Sequence, residues 1–338
     1  MRKCSRCRFP RSCCSQKQWA KPENQVPSFV FLQPIRSSGC WNGSRNEMPS
    51  TSTRKQYPLN QSSLFRLRGK GQFEKIIGVQ WNAIDKLLFP DNYRVWVNEK
   101  GREIQQPIGW LAQVHERIGK LLARIELPDY LYSQRGRSYA DNARQHLGKA
   151  PLIKTDIHKF YPSTTRQMVF RMFAVDFQCA EDVAHRLADI CCYRQEHLPT
   201  GSALSGRVAF FAARHMFDDI AKLASDGRCK MTTYVDDVAV SGPGATKKLL
   251  GEIRKTIHRH GLKTKQRKSK SYASSSAKTL TGAVIAGDEL RLPNVRHRKI
   301  WETRLALAQA SRSDKERLQK TLRGRLQEAK QILVPPTE

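Results

Sequence analysis

Two adjacent carboxylates, Asp236 and Asp237, stand inside a run that otherwise reads as a buried strand, MTTYVDDVAVS at residues 231–241. β-Branched and aromatic residues dominate the run, and an acidic pair is normally excluded from such a segment. Like charges brought together at the tip of a strand hairpin are unfavourable unless a cation sits between them. A second β-rich run, PLIKTDI at 151–157, carries Asp156 at its end and is followed by a sharp Tyr161-Pro162-Ser163 break. A chain that sets these two runs side by side gathers three carboxylates at one end of a sheet. The ordinary alternative is an Asp-Asp pair in a plain surface turn, and Asp218-Asp219 is such a pair with no chemistry implied.

Carboxylates on adjacent rigid strands suit a hard, oxygen-seeking ion such as Mg²⁺. Two such ions about 3.5–4 Å apart are what nucleotidyl transfer requires, one activating the attacking hydroxyl and one neutralising the leaving group. The charge balance points to the same kind of partner. Lys and Arg outnumber Asp and Glu by 60 to 30, a formal charge of +30. An excess that large favours a polyanion, because each cation placed on a phosphate releases a counterion. A solvated basic surface is the bland alternative.

Membrane attachment is disfavoured. No apolar run approaches the roughly 18–20 residues of a spanning helix, and no basic amphipathic helix has a bulky aromatic face. The N-terminus, MRKCSRCRFPRSCC, is positively charged but has no apolar segment behind it. The expected setting is the cytoplasm, with all nine cysteines reduced. Five of these, Cys4, Cys7, Cys13, Cys14 and Cys40, lie in a basic arm, residues 1–56, that has no periodicity and is expected to be unstructured. A zinc site there is the competing reading, against which stand the short spacing and the lack of a nearby His. Met48 is a second place at which the folded part could start.

Beyond the arm the patterns alternate. Leu111, Val114, Ile118, Leu121, Leu122 and Ile125 fall on one helix face. Tyr93 to Ile104 alternates with period two around Glu99-Lys100-Gly101, which predicts a hairpin with charged tips. A single helix is expected over about 203–224, and two strands around Gly287-Asp288 over 279–292. The last segment predicts a basic helix with Leu318, Leu322, Leu326, Ala329 and Leu333 as its apolar stripe.

Five segments, LIKTDIHKFYPS (152–163), LPTGSALSG (198–206), TYVDDVAVSG (233–242), HGLKTKQRKSK (260–270) and TLTGAVIAGDELRLP (279–293), resemble in order and spacing the palm motifs of reverse transcriptases. The resemblance implies an α+β right-hand polymerase fold with an antiparallel palm sheet. Its fingers would span 57–150, its palm 151–292 and its thumb helices 293–338. A fingers insertion would occupy about 164–197, and a primer-grip hairpin 279–292. It further implies two Mg²⁺ ions on Asp156, Asp236, Asp237 and the Ile157 carbonyl. Tyr161 would be the ring that excludes a ribose 2′-hydroxyl, its alternative being ordinary core packing. Thr200-Gly201 would be the turn that approaches the nascent base pair. Lys268 would protonate pyrophosphate, with a generic phosphate patch formed with Lys263, Lys265, Arg267 and Lys270 as its alternative. Arg102 would hold the triphosphate.

Two further elements narrow the resemblance to bacterial retron enzymes and related defence-associated reverse transcriptases. Asn142-Ala143-Arg144-Gln145-His146 is similar to their NAxxH element, through which Asn142 and His146 are expected to bind RNA. Leu280-Thr281-Gly282 is similar to their VTG element, with Leu in place of Val. Val235 in place of Ala, and Ala203 and Gly206 in the second motif, depart from the retron pattern. The implied activity is RNA-directed DNA synthesis on a structured non-coding RNA from dNTPs, self-primed and serving anti-phage defence with an effector protein as partner. The rivals are an RNA-dependent RNA polymerase, against which Tyr161 and Tyr234 stand, and a polymerase-like module that binds nucleic acid without copying it. A silent module would have no reason to keep three clustered carboxylates.

Overall fold

The computed structural model describes residues 56–334. The cysteine-bearing arm, the zinc reading and the second start at Met48 lie outside the described residues. No described helix is long and apolar enough to cross a membrane.

Helices and antiparallel sheets are both present, as an α+β class requires. In the first third of the described chain, α1 (Lys70–Ile77) and α2 (Ile84–Leu87) precede a hairpin of β1 (Tyr93–Val97) and β2 (Glu103–Pro107). Then come α3 (Gly109–Leu122) and α4 (Tyr139–Arg144). The apolar stripe of α3 is buried as its spacing predicts, with Leu111, Val114, Ile118 and Leu122 inside. The hairpin forms too, Tyr93 pairing with Pro107 and Val97 with Glu103. Its alternation, however, does not sort into a buried and a wetted face. Val95, Trp96 and Val97 are all exposed, because β1 projects beyond Tyr93, which packs on His115 and Tyr193, while β2 touches the body of the protein through Ile104 and Gln105.

β3 (Leu152–Asp156) is followed by α5 (Phe160–Ser163), α6 (Arg166–Arg171), α7 (Glu181–Cys191), α8 (Ser205–Ala212) and α9 (Arg214–Asp226). The single helix expected over 203–224 is in fact α8 and α9, broken at Ala213, whose φ of −107° and ψ of 10° leave the helical region. The break lets Phe210, Phe211 and Phe217 all reach one core, which a straight helix with a single stripe could not do. β4 (Lys230–Tyr234) and β5 (Asp237–Ser241) follow, then α10 (Lys247–Arg259) and β6 (Lys270–Tyr272). The sheet order is β4-β5-β3-β6, antiparallel throughout. With neighbours on both sides, β3 is buried along most of its length. The β4 edge is not left bare: Tyr132 N–H donates to the Thr233 carbonyl (2.8 Å) and Thr233 N–H to that of Tyr130 (2.7 Å).

The expected two-stranded hairpin at 279–292 is a three-stranded sheet of β7 (Lys278–Leu280), β8 (Ala283–Ala286) and β9 (Glu289–Arg291). The turn at Gly287-Asp288 is present, and a second turn at Thr281-Gly282 was hidden by β-favouring neighbours. The chain closes on α11 (Asn294–Ala308) and α12 (Arg312–Leu333). The stripe expected on α12 drifts: Leu326 and Leu333 are exposed, while Ala329 and Ile332 are buried. A straight α-helix keeps one face by steps of three and four alternately, so the inward position after Leu322 falls to Arg325. Its guanidinium reaches the Thr303 hydroxyl and the Lys299 carbonyl of α11.

Two apolar cores result. The larger lies among the helices and one side of the four-stranded sheet, from Leu64 to Leu262. A smaller one joins α4, the three-stranded sheet and the end of α12.

Candidate active site

β3 and β5 pair in a register that sets Asp156 opposite Asp237. β4 and β5 pair with Tyr234 opposite Asp237, so only Val235 and Asp236 remain to make the turn. A two-residue hairpin turn of this kind requires positive φ and is normally built from Asn or Gly. Val235 occupies it at φ +59°. A β-branched residue there is strained by on the order of 1–3 kcal/mol. What the strained turn achieves is position. Ligand atoms of Asp156, Asp236 and Asp237 lie within 4.8 Å of one another. Among the described residues no other group of His, Cys, Asp and Glu side chains converges in this way.

The electrostatics report the crowding. Burial, then the charges of Asp237 and Asp156, push the Asp236 carboxyl up to about 6. Asp237 is also raised, by burial and by Asp156. Ile157 N–H donates to the Asp236 carbonyl (2.9 Å), which holds the Ile157 backbone against the turn. The Lys268 ammonium sits on Asp156. Partial burial opposes its charge, but the hydrogen bond to Asp156 and the three carboxylates outweigh this and hold it above the ordinary lysine value. One lysine facing three carboxylates leaves the cluster anionic. An all-oxygen, crowded, anionic donor set fits a hard divalent cation, so these residues fit Mg²⁺.

Tyr161, at the start of α5, is half-buried beside this cluster. Its hydroxyl is pushed up to about 12, by burial first and by the Asp236 charge next. A Cβ at Gly206 would stand 3.4 Å from the Tyr161 hydroxyl oxygen, so the small residue there leaves the ring room against α8.

Thr200 and Gly201 do not meet the carboxylates. They hold the β1–β2 hairpin instead. Gly201 N–H donates to the Gln105 carbonyl (3.0 Å), and the Thr200 hydroxyl donates to that of Glu103 (2.9 Å). A Cβ on Gly201 would lie 2.8 Å from the Gln105 carbonyl oxygen, which is why glycine is needed. Arg102 is exposed at the end of the hairpin turn, its backbone N–H donating to Asn98 Oδ1 (3.0 Å). Among the described residues no hydrogen bond or ion pair engages its guanidinium.

Asn142 and His146 require a correction. Both are buried, 0% and 2% exposed, and neither presents a side chain to RNA on the surface. His146 Nδ1 is 2.7 Å from the Ser241 hydroxyl and Nε2 is 2.7 Å from that of Thr232. It therefore clamps β4 to β5 from beneath, and its burial pushes it down to about 3. The string N-A-x-x-H is a polar signature inside a core, which sequence alone could not tell from an exposed one.

Two positioning residues escaped the sequence reading. Gln105, nearly buried, accepts from Thr200 N–H through its side chain (3.0 Å). His115, 1% exposed, donates from Nε2 to the Ile190 carbonyl (2.8 Å). Its Nδ1 then accepts from the Ser202 hydroxyl (2.8 Å), fixing the same turn. The available signal was the place of His115 on the apolar face of α3, one turn after Leu111.

Comparisons with known proteins bear on the family. The chain is 25% identical over 170 residues to the retron Ec48 reverse transcriptase of Escherichia coli, covering 49% of this chain and 41% of that protein. It is 29% identical over 149 residues to the retron Se72 reverse transcriptase of Salmonella heidelberg, covering 43% and 38%. To the retron Ec86 reverse transcriptase of Escherichia coli it is 24% identical over 213 residues, covering 62% and 64%. The chain thus spans less than two thirds of the length of these curated relatives. Among solved structures, apo telomerase from Candida tropicalis aligns with a TM-score of 0.44 and 12% identity, over 60% of this chain and 54% of that one; a likeness that loose carries no argument. The family model for reverse transcriptase (RNA-dependent DNA polymerase) matches residues 84–285, more than half the chain and a span that contains all three carboxylates and Lys268. With its antiparallel sheet, its acidic hairpin and that match together, the chain belongs to the reverse transcriptase family and has its right-hand polymerase fold.

Proposed function

We propose that the protein is an RNA-directed DNA polymerase of the retron type, copying a structured RNA into DNA. The observation that carries this reading is the convergence of Asp156, Asp236 and Asp237 on a strained hairpin within the reverse transcriptase (RNA-dependent DNA polymerase) family. The proposed division is fingers 57–150, palm 151–292 and thumb from 293 onward, with 164–197 inserted from the fingers.

Asp156, Asp236, Asp237 and the Ile157 carbonyl would hold two Mg²⁺ ions. When bound, they would supply Lewis-acid activation of the primer hydroxyl and neutralisation of the leaving pyrophosphate. Tyr161 excludes the 2′-hydroxyl of a ribonucleotide by volume. The carboxylates keep Lys268 charged; it leaves Asp156 and donates a proton to the departing pyrophosphate. Arg102 folds over the triphosphate from the hairpin tip. Thr200 and Gly201 place that hairpin relative to the base pair. Initiation from an RNA 2′-hydroxyl, an effector protein partner and a role in anti-phage defence extend the reading by similarity to the retron proteins.

Extension of a primed RNA template with single dNTPs tests it. The wild type is expected to add the nucleotide that each template base specifies, and Asp237→Asn to add none while still binding RNA, since RNA affinity comes from the basic surface. Wild-type extension by Asp237→Asn, or addition that ignores the template, would refute the reading.

A further inference from the structure

α4, the helix of the N-A-x-x-H element, is fixed in place before it holds anything. Ser138 and Asp141 form a reciprocal capping box at its start, Asp141 N–H donating to the Ser138 hydroxyl (3.1 Å) and Ser138 N–H to Asp141 Oδ2 (2.8 Å). The second Asp141 oxygen takes Arg144 Nη1 (2.7 Å). This orients the guanidinium so that its other amine faces the far end of the chain. There Nη2 donates to the carbonyls of Gln331 (2.6 Å) and Val334 (2.7 Å), with Ile332 at 3.3 Å. The last carbonyls of a helix have no partner of their own, so Arg144 is the cap of α12.

The partner helix α11 is seated on the same element. The Arg296 guanidinium lies 5.4 Å from the centre of the Tyr139 ring and pairs with Glu328 of α12 (2.6 Å). The Thr281 hydroxyl donates to the Tyr139 carbonyl (2.7 Å). A Cβ on Gly282, at φ +83°, would stand 2.6 Å from Arg296 Nη2. The Leu280-Thr281-Gly282 element and the N-A-x-x-H element, distant in sequence, are therefore one structure. Thr281 braces Tyr139, and Gly282 leaves the space through which Arg296 reaches it. Away from this base the helices carry exposed Trp301, Arg298, Lys320 and Arg323, a basic surface with an aromatic ring on which only Arg298 is paired, with Glu302 of its own helix (2.7 Å).

We propose that α4 and the Thr281-Gly282 turn form the socket of the α11–α12 pair, with Arg144 and Arg296 as positioning residues that set how the pair holds a template–product duplex. This rests on the polymerase reading above. None of the socket's hydrogen bonds or ion pairs engages Asp156, Asp236 or Asp237, so it governs retention of the duplex and not the chemical step. A half-buried guanidinium that satisfies several carbonyls at once cannot be replaced by a single amine.

The test uses the full chain and a labelled RNA–DNA duplex with a heparin trap, reading duplex dissociation, product length and the single-turnover rate of one dNTP addition. Arg144→Ala and Arg296→Ala are expected to release the duplex about tenfold faster and to shorten products, with the single-turnover rate within about twofold of wild type. Arg144→Lys is expected to fall between. Should either alanine variant fail to fold by circular dichroism, Thr281→Val, which removes one hydroxyl, must still speed release; a wild-type release rate there overturns the proposal. It is equally overturned by wild-type release in folded Arg144→Ala, or by equal losses in release and in single-turnover rate, which would mean general disorder. Duplex release is read without catalysis, so a wild type that adds no nucleotide refutes the polymerase reading and leaves this one to be judged on release alone.

Discussion

The acidic hairpin and the socket under α11 and α12 solve opposite problems. In the hairpin, three carboxylates converge on a turn that forces Val235 to φ +59°, and Asp236 is pushed up to about 6. In the socket every charge is matched: Asp141 with Arg144, Arg296 with Glu328, and the helix-end carbonyls with Arg144. The first region is unfavourable on its own and becomes favourable with a cation. The second is complete without one. The socket carries strain of its own, with Thr281 at φ +41° and the Asn142 amide buried without a hydrogen-bond partner, so what separates the two regions is unmatched charge at one and matched charge at the other.

The largest expected effect that separates the regions is on substrate choice. Tyr161→Ala should open space for a 2′-hydroxyl and shift the rCTP to dCTP incorporation ratio on an RNA template by on the order of 10–100-fold. Socket variants should leave that ratio alone. An unchanged ratio in folded Tyr161→Ala would make the ring a core aromatic only.

A smaller effect lies in the pH dependence of stability, where the metal cluster and the buried histidines have opposite signs. Asp236 is raised from 3.8 to about 6, so the folded state holds its proton more tightly and stability falls as pH rises from about 4 to 6. His146, beneath the same hairpin, is lowered from 6.5 to about 3, and His115 to about 4. Their contribution is complete above pH 6.5 and is lost as pH falls. In metal-free urea unfolding between pH 4 and 6, Asp236→Asn should therefore steepen the acid loss by about 1.4 kcal/mol per pH unit, and His146→Gln should flatten it by about as much. Parallel curves for wild type and both variants would refute the assignment.

How legible each region was follows from the same contrast. The hairpin announced itself because Asp236-Asp237 violate the pattern of the run that contains them, and Asp156 ends a run of its own. Local violations of a local rule can be read from sequence. The α3 stripe was readable for the opposite reason, obeying a simple period. The socket was not, because its contacts join residues 139–144 to 281–296 and 328–334, and no period connects them. Arg144 was merely an x in a motif. At Ala213 tertiary contacts of Phe210 and Phe217 overrode a pattern that local spacing had suggested, whereas on α12 the alternation of three- and four-residue steps carried the inward position from Leu322 to Arg325. His146 and Asn142 were recognised as a signature, but burial, which sequence could not supply, turned a surface role into a structural one.

The central claim is that the hairpin is held in an unfavourable state that a divalent cation relieves, and thermal melting of wild type and Asp236→Asn at pH 7.5, with and without Mg²⁺, tests it most directly. A carboxyl displaced from 3.8 to about 6 costs the metal-free fold on the order of 2–3 kcal/mol at that pH. Without the ion, Asp236→Asn is therefore predicted to melt several degrees above wild type; with it, wild type should rise and the variant should move little. A wild type that melts at or above Asp236→Asn without Mg²⁺, and does not respond when the ion is added, would contradict the account.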